Sequence, residues 1–589
     1  MRWLLSSHFF YLYQYSRQIH LRQNLFIVKK ILCYSFLLLA ISKVQAQTTY
    51  LPLNTEEYHL LDRLETMNGT FADEFYTSFK PIARKGAVEF LSSLRRIGNT
   101  PGNSINDIDY YDIQRAISIS GEWSETAEGD DGAINSRKPI LKYFYQKQPD
   151  MIHVNSDGLY LVVNPVIYFQ GMKENNQEGL KYINTRGAEI RGKIFNRIGF
   201  YTMFADNQEK PPSFVYTYAN RYQAYPGNDY YTNPSNDFDN IIARGYVDIG
   251  ALNEHLNITF GYDKQFAGDG MRSLFHSDFG APATFLRLRA RFWKIMYESL
   301  YLELTPQYQR GDDQQLPHSY ATFNQASMNV LPWLNVGLFE STLFSQKDKY
   351  QVQDIVPVMF YNTIARSLGA NQKTSLGFNF KALAAQRIQL YGQAYFDQLN
   401  VSKLSDGWWG NQFGIQLGAK YFNAFSIHNL DLQVEGNVVR PFTYSSNDSV
   451  TNYASYNQPL AHPYGAGFAE FIFNVRYQPL PKLYLSAKGI VSKRGDDPMG
   501  GYNNGNDIFK PVSTRPENEG FGLTGFGTTW TGLYLNPNVS YELRPNLFID
   551  AGVIYQKGHT DIYDNVIPNS TTFYGGLRLN IARKEYDGF

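Results

Sequence analysis

The sequence predicts an all-β transmembrane fold: an outer-membrane antiparallel β-barrel of about 18 strands with a small N-terminal helical region on its periplasmic side. Three observations predict it. From about Gly158 onward apolar residues recur with a period of 2 in place of the 3.6 of a helix. The alternating runs come as hairpins with one short and one long connection, the pattern of bacterial barrels. Composition joins 16% aromatic residues, with 45 Tyr, 41 Phe and 47 Gly, to a mean hydropathy of only −0.38. That suits strands that give every second residue to a polar lumen, and would be strange for a bundle of membrane helices.

Lys29 and Lys30 precede an apolar run from Ile31 to Ile41 and then Val44-Gln45-Ala46. These read as the basic region, apolar region and small-residue cleavage site of an export signal, so residues 1–46 are expected to be removed after Ala46. The apolar run is roughly half of the ~20 residues a spanning helix needs. Cys33 follows Lys-Ile-Leu with no small residue before it, which argues against a lipoprotein acceptor. Residues 1–25 add nothing to such a signal, as an over-extended start would produce. Cys33 is the one cysteine of the chain, so cleavage leaves no thiol for disulfides, metal clusters or nucleophilic catalysis.

Residues 47–150 read as the helical region. Asn54-Thr55-Glu56-Glu57 has the form of a capping box opening a helix with Tyr58, Leu61 and Leu64 on one face, stopped by Gly69. Val88, Leu91 and Leu94 fit a second helix ending at Gly98. Ser104 is placed to cap a third carrying Ile105, Ile108 and Tyr111. The region either braces and closes the barrel or docks another envelope protein.

Residues 151–589 read as the barrel. Leu533, Leu535, Val539, Tyr541 and Leu543 alternate with Tyr534, Asn536, Asn538, Ser540 and Glu542, followed by the turn Arg544-Pro545-Asn546. Leu547, Ile549, Ala551, Val553 and Tyr555 then face out and Asp550, Gly552 and Gln556 in, with Phe548 and Ile554 as exceptions. Phe471, Phe473, Val475 and Tyr477, turning through Pro479-Leu480-Pro481-Lys482 into Leu483, Leu485 and Ala487, repeat the hairpin. So do Leu376, Phe378 and Phe380 with Ile388, Leu390, Ala394 and Phe396. With short turns periplasmic, upward strands start near Leu159, Ile198, Leu256, Ile295, Leu334, Ile388, Leu430, Leu483 and Leu547. Downward strands start near Tyr182, Ile241, Phe285, Ser319, Thr374, Asn411, Gly467, Thr531 and Thr571. The last has Phe573, Gly575, Leu577, Leu579 and Ile581 outward, and Phe589 has the form of a terminal aromatic assembly signal for the barrel-assembly machinery.

A formal net charge of zero and 18% charged residues give no global field that would favour nucleic acid or an anionic bilayer, so specificity must lie in local sites. Arg287, Arg289 and Arg291 on one strand, opposite Glu303 on the next, are expected to line the lumen with Asp263, Asp397, Glu470, Arg476, Lys488 and Glu542. They either pair within a filled interior or form a constriction with a transverse field. Long connections carry Tyr216, Tyr218, Tyr222, Tyr225, Tyr230 and Tyr231, then Trp408 and Trp409, then Tyr453, Tyr456, His462 and Tyr464. Flat aromatic faces stack on sugar C–H surfaces while Asn, Asp and His bond hydroxyls, so these loops suit carbohydrate, although girdle and loop packing account for most single tyrosines. No enzyme, cofactor or metal is expected. Gly268-Asp269-Gly270 has Ser273 where a dinucleotide fingerprint needs glycine and lacks a strand-to-helix unit. No nucleophile elbow and no His-Glu-x-x-His is present. Asp312-Asp313 and Asp496-Asp497 follow glycines, so turn chemistry accounts for them better than calcium.

The stretch from Gln265 to Asp278, Gln-Phe-Ala-Gly-Asp-Gly-Met-Arg-Ser-Leu-Phe-His-Ser-Asp, resembles the hallmark segment of the Wzi-type capsule-assembly family, a Gly-x-Gly loop followed by a Ser-Leu-apolar-x-Ser run. Leu390-Tyr391-Gly392-Gln393 with Asp397, and Ala461-His462-Pro463-Tyr464-Gly465-Ala466-Gly467-Phe468, add to the likeness. The resemblance implies a barrel of about 18 strands with a periplasmic helical part, binding and tethering capsular polysaccharide as a non-enzymatic lectin. It adds Asp269 and Arg272 to Trp408, Trp409, Tyr453, Tyr456, His462 and Tyr464 as candidate polysaccharide contacts. Asp269 departs from the proline expected in many relatives, which leaves the glycan open. The chain also resembles a branch that includes gliding-motility surface proteins, so motility or adhesion is an alternative role, and a porin-like diffusion channel is another. Expected partners are surface polysaccharide, outer-membrane lipid and other envelope proteins, and not nucleic acid.

Overall fold

The computed structural model describes residues 48–98, 105–124, 132–175, 177–195, 197–228, 237–251, 255–306, 318–345, 355–367, 372–497, 501–517, 519–525, 528–560 and 569–588. The export signal with Cys33, and Ser104, Tyr230, Tyr231, Asp312, Asp313 and Phe589, lie outside them.

Alternation builds a closed antiparallel barrel of 18 strands. They are β1 (Leu159–Glu174), β2 (Lys181–Ile194), β3 (Ile198–Lys210), β4 (Phe238–Ala251), β5 (Leu256–Asp263) and β6 (Ala283–Phe292). Next come β7 (Ile295–Leu304), β8 (Ser319–Leu331), β9 (Leu334–Phe344), β10 (Gln372–Ala384), β11 (Ile388–Gln398) and β12 (Gln412–Tyr421). The ring ends with β13 (Leu430–Val439), β14 (Phe468–Leu480), β15 (Leu483–Asp496), β16 (Thr528–Arg544), β17 (Leu547–Thr560) and β18 (Ser570–Leu579). β18 pairs antiparallel with the upper part of β1 and closes the ring, while the short strand Ile152–Ser156 covers the lower edge of β1. Every upward strand begins at the residue the alternation names, and tight turns such as those before Leu483 and Leu547 fix register there. In the turn after β16, Asn546 takes the left-handed conformation at φ 63°.

The expected faces hold along β16 and β17: Tyr541 and Ile549 are exposed to the outside, whereas Asn536, Ser540, Glu542 and Asp550 are buried inside. The exceptions Phe548 and Ile554 are buried too, Phe548 with the guanidinium of Arg578 4.0 Å from its ring centroid. β18 stops at Leu579, and Ile581 leaves it to pack in the interior.

Helices α1 (Glu56–Asn68), α2 (Arg84–Gly98) and α3 (Asp107–Ile119) form the N-terminal region. Gly69, at φ 74°, ends α1 by donating its N–H to the carbonyls of Glu65 and Thr66. Thr55 sits at the N-cap of α1 without a capping hydrogen bond; its hydroxyl donates to the Pro52 carbonyl. Asn106, two residues past Ser104, caps α3 by accepting from the Asp109 N–H. Leu60, Leu61, Leu64, Val88, Leu91, Ile113 and Ile117 share one core. The bundle lies across the short-turn end of the barrel: Arg63 bonds Asp431 at the start of β13, Arg115 bonds Glu542 at the end of β16, and Glu122 bonds Arg191 at the end of β2. It closes that mouth.

One wall inverts the usual pattern. On β7–β9 the inward residues Leu300, Leu302, Phe323, Phe339 and Leu343 are apolar and join a large core, while the outward row Ser299, Asn324 and Glu340 is polar and fully buried. A strap, residues 355–367 with helix α4 (Tyr361–Ser367), covers that row from outside. Tyr297 and Tyr301 donate to the carbonyls of Pro357 and Ile355, and Glu340 accepts from Phe360 N–H and from the Thr363 N–H and hydroxyl. The strap exposes Val358, Phe360 and Ile364 in place of the strands' own apolar belt.

The inversion corrects the expectation for Glu303. It pairs in register with Thr284 and bonds His318 on the outward face, at 2.8 Å. The carboxylate opposite Arg289 in the lumen is Glu298, at 2.6 Å.

Candidate functional site

Two segments fill the lumen beyond the plug. The first is the connection 264–282 between β5 and β6, which contains the family-like stretch. Gln393 of β11 accepts from the Leu274 N–H and donates to the Ala267 carbonyl. Glu435 of β13 accepts from the N–H groups of Met271 and Arg272 and from the Tyr391 hydroxyl. Tyr444 and Tyr453 donate to the carbonyls of Leu274 and Phe275. Phe275 stacks on Phe339 with centroids 4.4 Å apart, against the apolar wall. The three stretches that carry the resemblance thus meet as one interior knot: Gln393 holds 267–274 directly, Tyr391 does so through Glu435, and the Ala461 carbonyl accepts from Ser277.

The second is the segment after β18, which turns back up through the lumen. Arg583 bonds Asn538, Lys488 bonds Glu585 and Asp587, and Tyr586 is buried with its hydroxyl on Glu209. Asp587 meets Arg272 at 3.2 Å, joining this tail to the knot. Burial alone would raise the Asp587 carboxyl, but Arg272 and Lys488 hold it well below the usual carboxylate range. Arg272 also reaches Glu470 at 3.3 Å, and His462 bonds the same carboxylate at 2.7 Å. Burial lowers the His462 pKa from its ordinary value, against the pull of Glu470. Between plug and wall lie two small cavities of about 50 Å³ each.

The expected contacts therefore fall into two groups. Asp269, Arg272, Tyr453 and His462 are buried and committed to protein: Asp269 accepts from Thr77 of the N-terminal region, and Tyr453 is fully enclosed among Phe323, Tyr395 and Tyr444. Of the lumen charges, Arg287 bonds Gln265 and lies 4.2 Å over the Tyr50 ring, Arg289 bonds Glu298, and Arg291 lies 3.7 Å from Asp73. Trp408, Trp409, Tyr456 and Tyr464 are half-buried at the loop end.

Trp408 and Trp409 sit where the β11–β12 and β15–β16 connections cross. Trp409 N–H donates to Glu519, Phe521 N–H to Gly407, and Arg440 donates to the carbonyls of Gly407 and Trp408. Lys403 stands 4.8 Å over Trp408 and Arg515 4.3 Å over Trp409, so each indole carries a cation. Phe442 packs edge-on against Trp409 and is itself backed by Phe521. The tyrosine-rich loop between β3 and β4 is packed on itself, Tyr216 and Tyr225 both stacking on Phe238. Asp497 is a turn anchor, accepting from the N–H groups of Asn504, Asn506 and Asp507, and Asp496 pairs with Arg221. Among the described residues no cluster of three metal-ligating side chains is found.

No protein-family model and no curated sequence matches the chain. Among solved structures, the chain is similar to Wzi of Escherichia coli, described as an outer-membrane protein involved in group 1 capsule assembly and a carbohydrate-binding β-barrel. The TM-score is 0.53 at 12% identity, covering 91% of this chain and all of that one. OprD of Pseudomonas aeruginosa follows with TM-score 0.39 and 12% identity over 71% of this chain and 93% of that one. OpdK of the same organism, solved with vanillate, has TM-score 0.40 and 8% identity over 72% and 98%. The 18-stranded closed ring and its likeness to an outer-membrane barrel place the chain in the outer membrane.

Proposed function

We propose that this barrel is a non-enzymatic glycan-binding protein that holds surface polysaccharide at its outer mouth, as a distant relative of the Wzi-type capsule-assembly proteins. The observation that carries the reading is the Trp408–Trp409 pair, two partly open indoles fixed by crossing loops and flanked by Lys403 and Arg515. Rigid aromatic faces stack on sugar rings, and flanking cations suit the carboxylates of acidic polysaccharides. The interior knot supports it too, since it uses the stretches that resemble the capsule family as the stiff base on which the loops stand. Trp408→Ala with Trp409→Ala is expected to weaken binding of purified capsular polysaccharide at least tenfold, with barrel folding unchanged, as read by equilibrium binding. Binding equal to the parent removes the pair from the site. A deletion strain that sheds polysaccharide supports anchoring, whereas intact capsule with lost surface spreading favours the motility role.

A diffusion channel is the reading that a charge-lined lumen supports. It requires conductance in planar bilayers, which the plug, knot and tail together oppose.

A further inference from the structure

A groove of about 470 Å³ lies on the outward faces of β14–β17, just below the loops. Its lower part is apolar, with Phe471, Val491 and Leu533. Its upper part is basic, with the exposed side chains of Lys493, Lys557 and His559. Register explains the grouping: Lys493 lies opposite Thr531, which lies opposite His559, while Val491, Leu533 and Lys557 form the next row. Strands about 4.8 Å apart put Lys493 and His559 about 10 Å from each other, with the small Thr531 between them as the floor. Glu470 reaches the groove only from behind, its carboxylate held in the lumen by His462 and Arg272. Among the described residues no other carboxylate lines it.

Height decides what the basic end faces. Lys493 and Lys557 each stand ten residues beyond the first residue of their strands, Leu483 and Leu547. At ~3.4 Å per residue and a tilt of ~40° this is about 25 Å, the height of the lipid-facing apolar band. The cations therefore meet the headgroups of the outer leaflet and the apolar end meets its acyl chains.

We propose that this groove binds a phosphorylated, acylated glycolipid of the outer leaflet, with phosphate between Lys493, Lys557 and His559 and an acyl chain along Phe471, Val491 and Leu533. The two lysines hold the charge, and the His559 ring borders the same end of the groove.

The test uses the purified full barrel in detergent micelles, bisphosphorylated lipid A as probe, and equilibrium binding read by native mass spectrometry. Each lysine facing an anionic surface contributes roughly a fivefold factor, so Lys493→Gln with Lys557→Gln is expected to weaken binding about 30-fold. Lys493→Arg with Lys557→Arg restores it, and dephosphorylated lipid A binds the parent as weakly as lipid A binds the Gln variant. All variants keep the heat-modifiable gel shift of a folded barrel. Equal binding by parent and Gln variant overturns the site. Inorganic phosphate bound as tightly as lipid A, or phosphatidylglycerol bound as tightly, overturns the glycolipid assignment in favour of a free anion or any anionic lipid.

Discussion

Arg115 offers the sharpest test of how the plug is held. On α3, its guanidinium donates to Glu542 of β16 at 2.6 Å, to Glu57 of α1 at 2.8 Å and to Asn546 in the turn at 3.1 Å. Arg115, Glu57 and Glu542 are all buried. Arg115→Ala therefore leaves two buried carboxylates without their cation; Glu542 keeps only the Asn546 N–H and the Tyr111 hydroxyl. Breaking a buried pair from one side costs about 3–5 kcal/mol, so undocking of α3 should become roughly a hundred- to several-thousand-fold more frequent. Hydrogen exchange of α1–α3 in detergent reads this directly, while the barrel strands keep their protection. Arg115→Met with Glu542→Gln removes one stranded charge and should recover part of the loss. Protection of α3 within about fivefold of the parent would refute the view that this triad holds the plug.

Two further outcomes follow from buried carboxylates. Burial pushes the Asp112 carboxyl of α3 from its ordinary 3.8 up to about 7, against the opposing pull of Arg115. Docked α3 thus keeps this proton to higher pH than undocked α3, so the contribution of Asp112 to docking is full below about pH 4 and is lost as pH rises from about 4 to about 7. Asp112→Asn, which can still accept from Gln478 and Tyr484, should flatten that dependence between about pH 4 and 7 and raise α3 protection at pH 8 about tenfold or more. Glu340→Ala removes the acceptor for three donors of the strap, each bond to a charged group being worth about 1.5–3 kcal/mol. The strap should then be cut by added protease in the folded barrel, and resistance equal to the parent would show that its apolar contacts hold it alone.

The ring was readable because a period of 2 tied to tight turns fixes register and direction together. Leu483 and Leu547 follow their turns at once, which left no freedom in where β15 and β17 begin. Faces were readable only where water or polar groups fill the inside and lipid lies outside. On β7 that rule fails: Phe275 and Tyr453 fill the lumen beside it, so Leu300 and Leu302 turn inward and Ser299 and Glu303 outward. The warning was present in the run Ser299-Leu-Tyr-Leu-Glu303, whose leucines share a face with Glu298 and not with Glu303. The loop residues were harder. A tyrosine in a long connection carries no mark of whether its ring stacks on sugar or on Phe323, and Tyr453 does the latter. The returning tail was missed because Arg583 to Asp587 shows no periodicity, and its partners Lys488, Asn538 and Glu209 lie on three distant strands.

These interior parts do not act separately. Lys381 and Lys420 on β10 and β12 each bond Asp62 of the plug, and Lys420 also bonds the Asp269 carbonyl of the knot. Arg272 of the knot then binds Asp587 of the tail and Glu470 of the wall. Withdrawing any one of the three segments strands buried charge in another or in the barrel wall, a cost of several kcal/mol each time. A solute path through the lumen would require coordinated release of plug, knot and tail, whereas a ligand held on the mouth or on the outer wall requires none of them to move. The chain of buried ion pairs is thus an energetic reason to look for this barrel's partners on its outside surfaces.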